Sequence, residues 1–307
     1  MFLTGLPVTD KKRISAVVIS YRGIDFIADC LNSLKADLTE YEHEIIVVDN
    51  HSTDGTIEYI ERNHGDVRLI KNPRNLGFAR AVNQGIEAAR YEYLWLLNQD
   101  IRIRKSCLQT LFKCHEKLDR PGVIGPRLIG FNGKLQKSCR RLPCYRHILF
   151  EMTGLAYLFP RSSLFNGWKM GEFDHTFSRP VEQPMGAAML LSRNRIDEIG
   201  MLDETFGIFL NDVDFCRRLL EAGYLNYYCA EAVIEHFTGG SVSRQKPKMV
   251  WLSHLSVFRY FQKWEKRRHA SLPVKTAYRL ALYLTGPALV LSAMPRSLYH
   301  LLRRLFT

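Results

Sequence analysis

The sequence predicts an α/β protein: a doubly wound, mostly parallel sheet, followed by a helical, basic C-terminal appendix. Three observations carry this. Short β-branched or apolar runs alternate with segments of helical periodicity through the first hundred residues, the pattern of βαβ units. Polar residues collect where each run stops, at Ser20-Tyr21, Asp49-Asn50, Asn72 to Asn75 and Asn98 to Asp100. Right-handed crossovers bring four such ends to one edge of the sheet. Finally, charge is divided along the chain. Arg244 to Thr307 holds 13 Lys and Arg against one acid, Glu265, so the whole +12 excess lies there and the body before it is neutral.

Each element follows from local chemistry. Ile14–Ser20 is a β-branched run and reads as a first buried strand. Tyr21–Gly23 turns the chain, and Phe26–Leu34 repeats apolar residues at helical spacing. Glu44–Val48 is a second strand ending in Asp49-Asn50. Ser52–Gly55 supplies turn and N-cap groups for a helix over Thr56–Arg62. Val67–Lys71 is a third strand, Asn72–Gly77 a polar loop and Phe78–Arg90 a helix. Tyr93–Asp100 is an apolar run closed by polar groups and a carboxylate, as expected of a strand buried on both faces. Ligands bind beyond the carboxyl ends of such strands, so Asp100 falls where a phosphate or metal would sit.

Periodicity then weakens. Cys107–Leu118 reads as a helix and Val123–Leu128 as a strand, whereas Asn132–Asp174 is basic and aromatic without a period and reads as a long connection. Pro184–Leu191 is a small-residue run leading into a strand. Its Gly186 suits either a close backbone approach to substrate or a bulge. Arg195–Ile199 looks helical. Leu210–Gly223 opens a helix with Asp212 and Asp214 in its first turn, more carboxylate than one cap needs, and ends on Gly223. Glu235–Ser241 closes the neutral body with His236 before a glycine turn.

The seven cysteines are scattered, odd in number and free of any CxxC pair, which speaks against a disulfide framework and against a zinc site. Cys139 and Cys144 are near enough in sequence to pair if oxidised, but are expected not to. Met1–Pro7 has no signal-peptide pattern, and a reducing cytoplasm suits the thiols.

The ordered set Val47–Asn50, Asn75–Arg80 with Asn83, Leu97–Asp100, Asn211–Asp214 and His236 resembles family 2 glycosyltransferases of the GT-A fold, in particular the rhamnosyltransferase-like members that build bacterial surface polysaccharides. The resemblance spans residues 14 to 243 and implies the following roles. Ser20, Tyr21 and Asp49 would hold the base and ribose of a nucleoside diphosphate sugar, with Asn50 a further donor-binding residue. Asn75, Gly77 and Arg80 reach the nucleotide from the next loop and helix. Asn98 is a donor-binding residue, Asp100 would bind Mg²⁺ or Mn²⁺ on the diphosphate, and His236 is a candidate second metal ligand. Asp212 is the general base, and Gly186 and Asp214 line the acceptor site.

The implied chemistry is coherent. A hard cation on carboxylate oxygen neutralises a departing diphosphate, and one base without an enzyme nucleophile gives single displacement with inversion. Three positions depart from the family pattern. Asn98 replaces the first acid of the Asp-x-Asp motif. Asn211 replaces the Glu before the base, which leaves Asp212 with one fewer like charge nearby. Arg22 stands where Asn is common.

The tail completes the expectation. Trp251–Arg268 interleaves aromatic and basic residues as an amphipathic helix suited to an anionic membrane surface, or alternatively to packing on the body. Leu280–Met294 spans about 22 Å as a helix, short of the roughly 30 Å hydrocarbon core, so it is expected to lie in the interface. Tyr299–Phe306 repeats the mix. The two expected domains are therefore 1–243, catalytic, and 244–307, membrane-associating. The expected activity is an inverting, metal-dependent transfer of a sugar such as L-rhamnose from dTDP-rhamnose to a lipid-linked or polysaccharide acceptor. It is expected peripherally on the cytoplasmic face of a bacterial inner membrane. No nucleic-acid-reading motif accompanies the charge, so nucleic acid is not an expected partner; an oligomer is compatible with the sequence. The rival readings are a sugar nucleotidyltransferase and a non-catalytic membrane adaptor on the same fold.

Overall fold

The computed structural model describes residues 12–237 and 246–265. The Thr238–Ser241 turn, the boundary at 243, Leu280–Met294 and Tyr299–Phe306 lie outside the described residues.

The first half alternates as expected: β1 Arg13–Ser20, α1 Ile27–Leu38, β2 Glu42–Asp49, α2 Thr56–Asn63, β3 Arg68–Lys71, α3 Phe78–Ala88 and β4 Tyr93–Asn98. β3, β2, β1 and β4 are parallel neighbours, with Ser20 level with Asp49 and Ile19 level with Asn98. All their carboxyl ends therefore meet on one edge. The central strands β1 and β4 are buried on both faces by alternation. Ile14, Ala16 and Val18 join Trp95 and Leu97 under α1, whereas Val17 and Ile19 join Leu94 and Leu96 under α3. Each such aliphatic side chain contributes roughly 1.5–3 kcal/mol of burial.

The second half is richer than the sequence suggests. It continues with β5 Ile101–Ile103, α4 Cys107–Glu116, β6 Pro121–Ile129, β7 Leu135–Gln136 and β8 Cys139–Arg140. Then come α5 Tyr145–Met152, α6 Leu155–Leu158, β9 Arg179–Pro180, β10 Gln183–Pro184, β11 Ala188–Ser192, α7 Arg193–Ile199, α8 Asn211–Glu221, β12 Leu225–His236 and α9 Lys246–Glu265. The aperiodic 132–174 stretch thus holds two short strands and two short helices. The main sheet runs β3-β2-β1-β4-β11-β6-β12-β5. β11 is antiparallel to β4 and β6, and β5 to β12, so the sheet is mixed at this side.

Two expectations need correction. Cys114 on α4 and Cys229 on β12 form a disulfide across 115 residues; packing of α4 on β12 makes a pair that no sequence spacing announces. Helix α9 forms over much of the expected stretch, but Tyr260, Phe261 and Trp264 are buried against Phe206, Leu210 and Val213 of the body. That part of its apolar stripe faces protein, while Trp251 remains 43% exposed. Among the described residues no helix is long and apolar enough to cross a membrane.

Candidate active site

The ends of β1 and β2 form one wall. Ser20 is fully buried, and its Oγ donates to Oε1 of Gln99 at 2.8 Å. The same oxygen accepts from Tyr21 N at 3.0 Å, and Gln99 Nε2 donates to Tyr21 O at 2.8 Å. Gln99 thereby continues the β1–β4 pairing with a side chain. It lies so close to Gly23 that a Cβ there would meet Oε1 at 1.9 Å, so a larger residue at 23 would displace this carboxamide. Asp49 is fully buried, and both its oxygens accept from Ser52, from N at 2.7 Å and Oγ at 2.6 Å. The nucleotide contacts expected of Ser20 and Asp49 are therefore corrected: both side chains are turned inward and hold strand-end loops.

Asn50 is the organiser on this side. Its Oδ1 accepts from Leu76 N at 2.8 Å and Asn72 Nδ2 at 3.2 Å, and its Nδ2 donates to Asn75 Oδ1 and Gly77 O. These bonds shape the Asn72–Gly77 loop. Above it opens a cavity of about 520 Å³ lined by Tyr21, Asn50, Asn75 and Gly77, by Phe206 to Ile208, and by Leu252, Ser256 and Arg259 of α9. Four residues expected at the nucleotide meet here. Arg80 does not: its side chain is 56% exposed and faces Glu204 at 4.0 Å. Asp100, Asp212 and His236 are not among the lining residues either.

The end of β4 forms the second wall. β5 pairs with β12 so that His236 is level with Ile101, and Phe237 N donates to Asp100 O at 2.8 Å. This carries His236 Nε2 to 3.7 Å from Asp100 Oδ1. The carboxamide of Gln136 brackets His236: Nε2 donates to the His236 carbonyl at 2.6 Å, so Oε1 faces the ring Nδ1 at 2.8 Å. Only a protonated Nδ1 satisfies that oxygen, which leaves the Nε2 lone pair toward Asp100. Burial lowers the His236 pKa, and Asp100 opposes this; burial raises the Asp100 carboxyl, and His236 opposes that. Asn98 Oδ1, two residues before Asp100, is buried without a hydrogen-bond partner among the described residues. The other grouping of ligand-type side chains, Cys114, Cys229 and Glu231, contains the disulfide and has no thiolate to offer.

The third wall is the start of α8. Asp212 Oδ2 accepts from Gly186 N at 3.0 Å and Gln183 Nε2 at 2.8 Å, and Oδ1 accepts from Val213 N at 2.9 Å. Burial raises its pKa; the backbone donors and the charge of Arg140 work against the rise. Asp214 faces the other way. It is fully buried, and its carboxylate bonds Arg218, Lys263 and the indole N–H of Trp264. The acceptor role expected of Asp214 is corrected accordingly: it fastens α9 to the body.

The walls converge through β4 and β11. Ala188 is level with Leu97, and Asn98 N donates to Ala187 O at 3.0 Å. Gly186, whose N–H bonds Asp212, adjoins Ala187, and Asp100 lies two residues beyond Asn98. The residue that holds Asp212 and the strand end that carries Asp100 thus meet at this one backbone contact, although the two carboxylates are 112 residues apart in sequence. Sequence reasoning missed four residues here: Gln99, Gln136, Gln183 and Arg140. Gln99 sits inside the Leu97–Asp100 motif, but its neutral side chain gave no chemical signal; Gln136 and Arg140 lie in the aperiodic 132–174 stretch, and Gln183 just before the Pro184–Leu191 run.

Glycosyl transferase family 2 matches residues 15–173, just over half of the chain. The sequence is 25% identical over 274 residues to the N-acetylglucosaminyl-diphospho-decaprenol L-rhamnosyltransferase of Mycobacterium tuberculosis, covering 84% of this chain and 87% of that one. It is 23% identical over 209 residues to the low-salt glycan biosynthesis hexosyltransferase Agl10 of Haloferax volcanii, covering 67% of this chain and 61% of that one. The fold is similar, at a TM-score of 0.57 and 18% identity, to the mannosyltransferase PcManGT of Pyrobaculum calidifontis solved with GDP-Man and Mn²⁺, over 93% of this chain and 74% of that one. The expected GT-A fold is thus the one observed, and the chain belongs to glycosyl transferase family 2.

Proposed function

We propose that this glycosyltransferase moves a sugar from a nucleoside diphosphate onto a lipid-linked glycan by a single displacement that inverts the anomeric carbon. One observation supports the reading: the Asn98–Ala187 contact joins the strand end that carries Asp100 to the residues beside Gly186, which with Gln183 holds Asp212, and the two carboxylates have separate partners. Asp212 is the base. It takes the proton of the acceptor hydroxyl as that oxygen bonds to the anomeric carbon, and the diphosphate leaves with the electron pair of the broken bond. A carboxyl raised by burial is the better base for this. Gln183 and Gly186 orient it.

Asp100 and His236 suit a divalent cation, Mn²⁺ or Mg²⁺. A carboxylate oxygen and an imidazole lone pair face each other, and the buried oxygen of Asn98 lacks a partner. Bound there, such a cation neutralises charge on the departing diphosphate. Tyr21, Asn50, Asn75 and Gly77 take the nucleoside in the cavity they line. The activity for which the mycobacterial relative is named supports L-rhamnose as the sugar and an N-acetylglucosaminyl diphospho-polyprenol as the acceptor. A lipid-linked acceptor and the acid-free basic stretch from Lys266 to Thr307 support work at an anionic membrane surface, on the cytoplasmic face.

The test is an assay of dTDP-rhamnose, UDP-sugars and GDP-mannose against N-acetylglucosaminyl diphospho-polyprenol with Mn²⁺ or Mg²⁺, with product configuration read by NMR. Transfer from one donor with inversion is expected. No transfer from any donor, or retention, overturns the reading.

A further inference from the structure

We propose that Arg140 binds the phosphate joining the acceptor sugar to its lipid, so that guanidinium and Asp212 grip the two ends of one acceptor glycosyl phosphate. This rests on the function proposed above and adds a residue and a substrate feature to it.

The argument starts from β8 and β10. They pair antiparallel, with Arg140 level with Gln183. Residues directly opposite in such a pair project from the same face. The Gln183 side chain reaches Asp212 Oδ2 at 2.8 Å, so Arg140 emerges beside the base. The mutual influence of Arg140 and Asp212 on each other's ionisation agrees with that proximity.

Arg140 makes no contact ion pair among the described residues, although the charges of Asp212 and Glu151 act on it from further away. Its Nη1 donates to Lys137 O at 2.7 Å and Cys139 O at 2.9 Å, which fixes one end of the fork. No carboxylate of the described residues lies within 4.0 Å of it. Its basic neighbours differ: Arg141 pairs with Glu172, and Lys169 with Glu151. Burial lowers the pKa of Arg140, so the charge is held at a cost. A pinned, partly desolvated guanidinium with Nε and Nη2 left over matches two oxygens of a phosphate.

A second unpaired group lies next to it. Gln183 is 2% exposed and spends its Nε2 on Pro184 O and Asp212, while Oε1 is buried without a partner among the described residues. An unpaired acceptor, an unpaired cation and a base side by side fit a molecule bearing a hydroxyl, a further N–H or O–H, and an anion. A sugar phosphate has all three. The donor's own diphosphate is the other source of the same chemistry. Arg140 comes from the β8–β10 ribbon, however, and not from the strand ends that line the nucleotide cavity.

Two probes separate these sources: N-acetylglucosaminyl diphosphate carrying a short alkyl chain, and the neutral alkyl N-acetylglucosaminide of the same chain. Binding of each is read by calorimetry, which needs no turnover, and transfer to each is read as KM and kcat. Wild type is expected to bind the diphosphate probe more tightly. In Arg140→Gln that preference in binding falls by about tenfold to a hundredfold, with binding of the neutral probe and of the donor kept. Arg140→Lys, which keeps charge but loses the fork, should fall between and decides the matter if the Gln variant does not fold. Equal loss on both probes, no preference in wild type, or a loss confined to the donor overturns the assignment. Discrimination in binding without transfer from any donor would instead count against the proposed function.

Discussion

The backbone N–H of Gly186 donates to Asp212 Oδ2 at 3.0 Å, and a Cβ on Gly186 would meet Asp212 Cβ at 3.0 Å and Oδ2 at 3.1 Å. Contacts of that length force the neighbour to give by tenths of an ångström, and the neighbour here is the assigned base. Gly186→Ala should lower kcat about tenfold, through misplacement of the base, with donor affinity intact. Initial-rate kinetics and donor titration check this; wild-type kcat would show that the carboxylate position is not critical.

Gln136 should matter although it touches no reactant. Its carboxamide fixes the His236 tautomer that presents a lone pair beside Asp100. Gln136→Leu should weaken apparent Mn²⁺ affinity by about tenfold to a hundredfold, as loss of an outer partner of a ligating histidine does. A Mn²⁺ titration of donor binding measures it, and an unchanged midpoint would remove Gln136 from the account.

Helix α9 should be integral to body stability. Trp264 is 3% exposed and donates to the fully buried Asp214, which Lys263 and Arg218 also bond. Trp264→Ala should cost about 3 kcal/mol or more in stability and lower the melting temperature by several degrees. A melting temperature equal to wild type would mean that α9 is not docked in solution.

Among the free cysteines, Cys144 should be the reactive one. Burial alone would raise its pKa, but hydrogen bonding from His147 brings it down to about 7, at the N-cap of α5. Cys30, Cys107, Cys139 and Cys216 are buried and their thiols are pushed up, Cys139 to about 12. The Cys144 thiolate therefore accumulates as pH rises through 7. Iodoacetamide labelling followed by peptide mapping should find one fast site, at Cys144, with a rate midpoint near pH 7; first labelling at Cys139 would contradict this.

What could be read from the sequence was what local pattern controls. β1, β4 and the end of β2 are buried on both faces, so their apolar runs and polar ends stood out. The errors came from partners distant in sequence. Asp214 looked like a substrate ligand because Trp264, fifty residues on, is what satisfies it. Asp49 is the local exception: Ser52, three residues on, reads as turn chemistry and is also its partner. The Cys114–Cys229 bond and the Arg140–Gln183 register arise only when remote segments meet.

The central claim is that Asp100 and Asp212 serve one transfer in separate roles, and one pair of variants tests it most directly. Donor binding with Mn²⁺ and the rate of transfer are measured side by side for Asp212→Asn and Asp100→Asn. The account predicts that Asp212→Asn binds donor as wild type does but transfers at least about a hundredfold more slowly, whereas Asp100→Asn loses the Mn²⁺-dependent part of donor binding. Near-normal transfer by Asp212→Asn, or Mn²⁺-dependent donor binding undiminished in Asp100→Asn, would contradict it.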